Sequence, residues 1–152
     1  MFFTVISGSK ITNRTGIVRE DDGKKIIGIY IKSDFLIESD TDVIFKYKNS
    51  ESGASGGLMS ALYIYNELTE YDLTKGRNIA GTGTIEYDGT VGEIGGVKYK
   101  LLGAVKAKAD IFIVPSGSNY EEAKKLVEEN NYKIELIEAK TFKDVIETLR
   151  VN

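Results

Sequence analysis

The chain has 152 residues, the size of one ordinary domain, and its formal net charge of −3 does not indicate a nucleic-acid surface. Hydrophobic residues make up 41% and charged residues 28%, which predicts a globular domain with its own core. Cysteine and histidine are both absent. This excludes disulfides, thiol nucleophiles and Ser-His-Asp triads, so any proton transfer must use Asp, Glu, Lys or Tyr.

Residues 1 to 50 are rich in β-branched and aromatic residues, which predicts a group of strands. We expect these strands at residues 2–6, 16–19, 26–32 and 42–48. Turn signals such as Asp21-Asp22-Gly23 separate them. The apolar start lacks the basic residues and the length of a signal peptide. No apolar run approaches the roughly 20 residues of a membrane span.

The second half alternates helices and strands. We expect helices at residues 56–68, 97–109, 120–129 and 142–150, and strands at 110–114 and 132–137. Asp88-Gly89 predicts a hairpin between two short strands in the glycine-punctuated stretch 78–96. Ser118 or Asn119 is expected to cap the third helix and Thr141 the last. The pattern predicts an α/β fold, bordering on α+β, with a parallel sheet region in a single domain over residues 1–152.

The loop Ser52-Gly53-Ala54-Ser55-Gly56-Gly57 leads straight into the first apolar helix. Its glycines permit a tight turn and close approach of a substrate backbone. Ser55 then lies at a helix N-terminus, where free N–H groups can stabilise an oxyanion. A serine there is more commonly an N-cap, and a phosphate cradle is a third possibility. The chain has no GxxxxGK[ST] motif, which argues against ATP hydrolysis in this chain.

Two lysines near the start of the second helix are candidate bases for Ser55. Lys98 and Lys100 lie on different helix faces, and Lys100 shares its face with the small residues Gly103, Ala104 and Ala107. Desolvation of a lysine favours its neutral amine, which can accept a proton. Two solvated lysines at a helix end are the commoner interpretation of this pattern, and helical periodicity does not choose between Lys98 and Lys100.

The stretch from residue 53 to 115 resembles the proteolytic domain of Lon proteases, and is most similar to bacterial Lon-like peptidases that carry a PDZ domain and a membrane anchor. Ordered blocks match at consistent spacing, which is more specific than a lone Ser-Gly loop. The similarity weakens before residue 26 and after residue 130. The matching blocks after the serine loop are Ile64-Tyr65-Asn66-Glu67-Leu68-Thr69, Asp72-Leu73-Thr74-Lys75-Gly76-Arg77, Ile79-Ala80-Gly81-Thr82-Gly83-Thr84-Ile85, Asp88-Gly89-Thr90-Val91-Gly92, Ile94-Gly95-Gly96-Val97 and Ala109-Asp110-Ile111-Phe112 with Val114-Pro115.

The resemblance implies a role for individual residues. The family's serine lies in Gly-Pro-Ser-Ala-Gly, which stands here as Gly53-Ala54-Ser55-Gly56-Gly57. Ser55 is then the nucleophile, with Gly53 and Ala54 in the oxyanion loop. The family's lysine lies four residues after the second glycine of a Gly-Gly pair, which selects Lys100. A threonine that holds the lysine ammonium corresponds to Thr82. Ala54 and Gly56 depart from the family's proline and alanine but remain small, so they leave the nucleophile in place and could alter the oxyanion hole.

The function implied by the resemblance is that of a serine endopeptidase with a Ser55–Lys100 dyad. It would hydrolyse extended or unfolded polypeptides without ATP, metal or organic cofactor. Its expected partners are the polypeptide substrate, copies of itself in a ring of six, or a regulatory PDZ domain. We expect no nucleic-acid partner, and no membrane span in this chain. If the chain belongs to a PDZ-linked protein, that protein is expected outside the cytoplasm and tethered to the membrane. If it belongs to another Lon-like protein, a cytoplasmic location is expected. Two alternatives stay open: a non-catalytic α/β module that binds an anion or a partner, and a peptidase active only when assembled or tethered.

Overall fold

The computed structural model describes the backbone of residues 2–7, 10–15, 18–21 and 24–27, and residues 53–151 with their side chains. The chain divides into two compact units, Met1–Asp42 and Val43–Asn152. A single domain over residues 1–152 therefore stays a prediction, and the expected strand 42–48 lies outside the described residues. Among the helices of these ranges, none has the length and apolar character needed to cross a membrane.

The described residues of the first unit form two antiparallel strand pairs. β1 (Phe2–Ser7) pairs with β2 (Lys10–Thr15), and β3 (Val18–Asp21) pairs with β4 (Lys24–Ile27). The expected strand at 2–6 is confirmed. The sequence-based prediction missed β2, because its lysine, asparagine and arginine give it no apolar run. The other two strands were placed about two residues from their observed starts, and residues 28–32 are outside the described ranges.

The second unit alternates helices and strands, which confirms the α/β class. Its elements are α1 (Gly57–Leu68), β5 (Ile79–Gly81), β6 (Thr84–Ile85), β7 (Val91–Gly92), α2 (Val97–Lys106), β8 (Ile111–Pro115), α3 (Ser118–Asn130), β9 (Glu135–Ala139) and α4 (Phe142–Val151). The main sheet has the order β5-β8-β9 and is parallel throughout, while β6 and β7 form a separate antiparallel hairpin. The Asp88-Gly89 turn lies between β6 and β7, as the sequence predicted.

Side chains of the central strand β8 pack into a hydrophobic cluster on each face of the sheet. All five of its residues are buried, as expected for a parallel strand covered by helices on both sides. Ile111 and Ile113 pack into a cluster with side chains of α1 and α4, including Leu58 and Leu149. Phe112 and Val114 pack on the opposite face with residues of α2 and α3. The sheet therefore separates α1 from α2, the two helices whose N-terminal ends carry the candidate site.

The end of α2 and the start of β9 each differ by three residues from the sequence-based prediction. α2 ends three residues early because Lys108 takes a left-handed conformation with φ 57°, which terminates a helix. β9 starts at Glu135 instead of residue 132, because the Tyr132 N–H donates to the Val127 carbonyl at the end of α3.

The helix caps give one confirmation and one correction. Thr141 caps α4 as expected, since its Oγ1 accepts a hydrogen bond from the Asp144 N–H at 3.1 Å. Neither Ser118 nor Asn119 caps α3: the N-cap residue is Gly117, and the carboxylate of Glu93 accepts the first N–H groups of the helix. The distant partner, 25 residues away along the chain, explains why local pattern could not find this cap.

Candidate active site

Ser55 lies in a single 3-10 turn, Ala54–Gly56, that runs directly into α1. The preceding Gly53 is extended, with φ −167° and ψ 144°, and its carbonyl accepts the Gly56 N–H at 3.1 Å. The N-cap residue of α1 is Gly56, and no side chain of the described residues caps this helix or the turn. The Ser55 hydroxyl therefore does not act as a helix cap, which removes the commonest structural explanation for a serine at this position.

The main chain of Ser55 is anchored to the segment that joins β5 to β6. The Ser55 carbonyl accepts two hydrogen bonds, from the Gly83 N–H at 2.9 Å and from the Thr82 hydroxyl at 3.1 Å. The Gly83 carbonyl in turn accepts the Leu58 N–H at 3.1 Å. These three bonds brace the serine turn against the sheet, so the position of the Ser55 side chain is set by the sheet and the helix together.

Gly83 makes this contact possible because it carries no side chain. Its φ of +154° lies in a region that other residues rarely adopt. A Cβ there would meet Val91 Cγ1 at 2.9 Å and Leu58 Cδ2 at 3.2 Å. The close approach of this backbone to the serine turn therefore requires glycine.

Lys100 lies in the first turn of α2 and reaches across to the serine. Its Nζ donates a hydrogen bond to Ser55 Oγ at 3.2 Å. The Lys100 side chain is half-buried, whereas Lys98, two positions earlier, is exposed. α2 starts after Gly96, a left-handed N-cap residue with φ 74°, and buries Val97 and Leu101. The structure thus brings Ser55 and Lys100 together and leaves Lys98 facing solvent.

Thr82 lies beside the pair but makes a different hydrogen bond from the one expected. It is 2% exposed, and its hydroxyl donates to the Ser55 carbonyl. A hydroxyl has one donor and two acceptor sites, so the oxygen can still accept a bond from an ammonium group. The expected role of Thr82 in holding the lysine stays a prediction, and its observed contact is with the nucleophile's main chain.

Two acidic residues of the β6–β7 region, Asp88 and Glu93, accept hydrogen bonds within the structure. Asp88 Oδ1 accepts the Thr90 N–H at 2.9 Å and closes the hairpin, and the hydrogen bonds from Thr90 lower the pKa of this carboxyl. Glu93 Oε1 accepts both the hydroxyl and the N–H of Ser118, and these bonds lower its pKa. Sequence reasoning missed the bonds from Ser118 to Glu93 and from Ile94 to Asn119, because each joins residues that are 25 positions apart.

An α/β unit with a serine in a glycine-rich turn before a helix has the features of a serine hydrolase. The family model of the Lon protease (S16) C-terminal proteolytic domain matches residues 32–152, well over half of the chain. The chain therefore belongs to the Lon protease proteolytic-domain family and is a serine peptidase. A search of the curated proteins finds no match. The more specific similarity to PDZ-linked peptidases stays a prediction.

Proposed function

We propose that the chain is a Ser-Lys serine endopeptidase in which Ser55 is the nucleophile and Lys100 its base. The observation that carries this proposal is the 3.2 Å separation between Lys100 Nζ and Ser55 Oγ. That distance is at the upper limit of the usual 2.6–3.2 Å between a nucleophile and its base, and resting sites are often looser. The family membership of the chain supports the same chemistry.

The first step needs a neutral amine, since only an unprotonated lysine accepts a proton. Lys100 Nζ takes the proton from Ser55 Oγ as the oxygen attacks the peptide carbonyl carbon. The attack forms a tetrahedral intermediate whose charge lies on the former carbonyl oxygen. The N–H groups of Gly56 and Gly57 already bond to the carbonyls of Gly53 and Ala54, so the oxyanion donors proposed are the N–H groups of Ala54 and Ser55.

The second half of the reaction returns the proton. The lysine ammonium donates it to the leaving amine as the C–N bond breaks, which leaves an acyl group on Ser55. Lys100 then accepts a proton from the attacking water and returns it to Ser55 Oγ as the ester bond breaks, which releases the acyl group as a carboxylic acid and regenerates the serine. Every proton moves between substrate, water, Ser55 and Lys100, so the proposed reaction uses no metal, organic cofactor or ATP.

The proposed substrate is an extended or unfolded polypeptide. An extended chain offers free N–H and C=O groups and can add as a strand beside a short strand of the enzyme. β6 begins one residue after Gly83, whose N–H bonds to the Ser55 carbonyl, so a strand leads directly away from the nucleophile. Assembly into a ring of six and tethering to a PDZ domain remain part of the proposal as possible requirements for full activity.

Labelling with a fluorescent serine-directed acylating probe tests the nucleophile. We expect the native chain to be labelled on Ser55, as located by peptide mass spectrometry, and Ser55→Ala to lose both labelling and cleavage of an unfolded protein. Ser60→Ala, in the helix α1 that follows the serine turn, serves as the matched control and should be labelled like the unmodified chain. Equal labelling of Ser55→Ala would contradict the assignment.

Light scattering in the same experiment addresses assembly. If labelling and cleavage appear only in fractions of high molecular mass, the peptidase requires assembly. If no fraction of any size is labelled or cleaves substrate, the chain is a non-catalytic binding module and the proposal is wrong.

Thr82 gives a second test of the same site. Thr82→Val removes the hydroxyl that donates to the Ser55 carbonyl but keeps the shape of the side chain. We expect kcat to fall about 10- to 100-fold because misplacement of a reacting group is costly, and stability to fall by about 1 kcal/mol. Thr82→Ser keeps the hydroxyl and should retain most of the rate. Equal kcat values for the valine and serine variants, measured with denaturant unfolding alongside, would refute a role for the hydroxyl.

A further inference from the structure

The loop between β7 and α2 is fastened to the start of α3 by the carboxylate of Glu93. Glu93 Oε1 accepts the Ser118 N–H at 2.6 Å, the Ser118 hydroxyl at 2.8 Å and the Asn119 N–H at 3.4 Å. The bonds from Ser118 lower the pKa of Glu93. Their contribution to stability is therefore present at neutral pH and is lost as the pH falls through the lowered pKa.

The next residue of the loop is held by the side chain of Asn119. Its Oδ1 accepts the Ile94 N–H at 2.7 Å, and its Nδ2 donates to the Ile94 carbonyl at 3.1 Å. Asn119 is only 5% exposed, so this amide replaces water for both backbone groups of Ile94. These two hydrogen bonds satisfy the Ile94 N–H and carbonyl in the way that a neighbouring strand would, and they hold the Ile94 backbone in place.

The residue before α3 is suited to this contact. Gly117 has φ +78°, and a Cβ at that position would lie 2.8 Å from Glu93 Oε1. Only glycine allows the carboxylate to come this close to the helix end. We refer to Glu93, Ile94, Ser118 and Asn119 as the latch.

The latch lies immediately before the helix that carries Lys100. Ile94 is followed by Gly95 and Gly96, and α2 then begins at Val97. A Cβ on Gly95 would meet no atom within 4 Å among the described residues, so the Cβ position of this residue is open. The Gly96 carbonyl accepts the Lys100 N–H at 3.3 Å, so the last link of the loop bonds directly to the lysine's own backbone.

We propose that the latch positions Lys100 for Ser55, with Glu93 and Asn119 as positioning residues. This inference rests on the proposed Ser-Lys reaction. α2 is also held by the buried side chains of Val97, Leu101 and Ala104, which secure its inner face. The latch adds hydrogen bonds that hold the loop at the N-terminal end of α2. A small displacement of this helix end would move the Lys100 amine away from the Ser55 hydroxyl. A misplacement of about 1 Å can cost about 100-fold in rate.

Substitution of Glu93 tests the latch. Glu93→Leu removes the acceptor, and we expect kcat to fall about 10- to 100-fold with KM unchanged, since substrate binding does not use this carboxylate. Glu93→Gln keeps an oxygen for the Ser118 N–H and should recover most of kcat. Both are measured well below the unfolding temperature of each variant, with cleavage of an unfolded protein and the rate of probe labelling as readouts.

Asp72 provides the matched control. Its Oδ1 accepts the N–H and the hydroxyl of Thr74, much as Glu93 does with Ser118, and these bonds lower its pKa. It lies between α1 and β5 along the chain, outside the segments that carry Ser55 and Lys100. Asp72→Leu should lower stability and leave kcat unchanged.

The outcomes separate the latch from the dyad. An unchanged kcat in Glu93→Leu, with Ser55→Ala inactive, would overturn the latch and leave the proposed reaction standing. Equal losses of kcat in Glu93→Leu, Glu93→Gln and Asp72→Leu would also overturn it, because the effect would then follow stability alone. Full activity of Ser55→Ala would overturn both proposals.

Discussion

Replacement of Lys100 by methionine is expected to lower kcat by about 10²- to 10⁴-fold, the range that a positioned general base contributes. Methionine has a similar length and apolar stem but cannot accept the Ser55 proton. Lys98→Met removes the same charge from the same helix turn, and we expect it to keep nearly full activity because Lys98 is exposed. Cleavage rates of an unfolded protein, with Tm measured for each variant, give the comparison.

Lys100→Arg tests whether Lys100 acts as a base or only as a positive charge. Arginine keeps the cation and a long side chain but is not deprotonated in proteins, so it cannot act as a base. We therefore expect Lys100→Arg to be as inactive as Lys100→Met. High activity in the arginine variant would mean that the cation stabilises charge in the reaction and that another group removes the proton. Loss of activity in Lys98→Met alone would transfer the role to the other helix face.

The sequence predicted the α/β fold well wherever the signal was local. The Asp88-Gly89 turn, the five-residue apolar strand β8 and the Thr141 cap all depend on neighbours within a few positions. The failures share a different cause. β2 is recognisable only through its pairing with β1, and the cap of α3 comes from Glu93. Contacts that the fold creates between distant segments leave little trace in a local pattern.

In the candidate site, too, local features could be predicted from the sequence and contacts between distant segments could not. The glycine-rich loop marked Ser55, but helical periodicity could not choose between Lys98 and Lys100. The choice of Lys100 came from family resemblance, and its role as the base stays a proposal that the 3.2 Å separation from Ser55 supports. The bond from Thr82 to the Ser55 carbonyl could not be foreseen, because it depends on how close β5 lies to the turn before α1. The spacing of glycines between 81 and 96 was the visible sign that backbones approach one another here.

Gly81 lies close against the backbone of β8, and Gly81→Ala is expected to destabilise the fold by about 1–3 kcal/mol, the usual cost of overpacking. A Cβ on Gly81 would lie 2.5 Å from Met59 Sδ, and 2.9 Å from both Cβ and the carbonyl oxygen of Ile113. The methionine can move, but the Ile113 contacts cannot yield without shifting β8. Denaturant unfolding of the two proteins measures the difference.

Gly103→Ala is the control for Gly81→Ala. Gly103 lies within α2, and an added Cβ would meet no atom within 4 Å among the described residues. Alanine favours the helix over glycine, so this variant should gain roughly 0.5–1 kcal/mol. The same methyl group thus has opposite expected effects at the two sites. Because Gly81 directly precedes Thr82, which bonds to the Ser55 carbonyl, Gly81→Ala should also lower kcat in the fraction that remains folded. Equal stability of Gly81→Ala and the unmodified chain would contradict the close packing of β5 between α1 and β8.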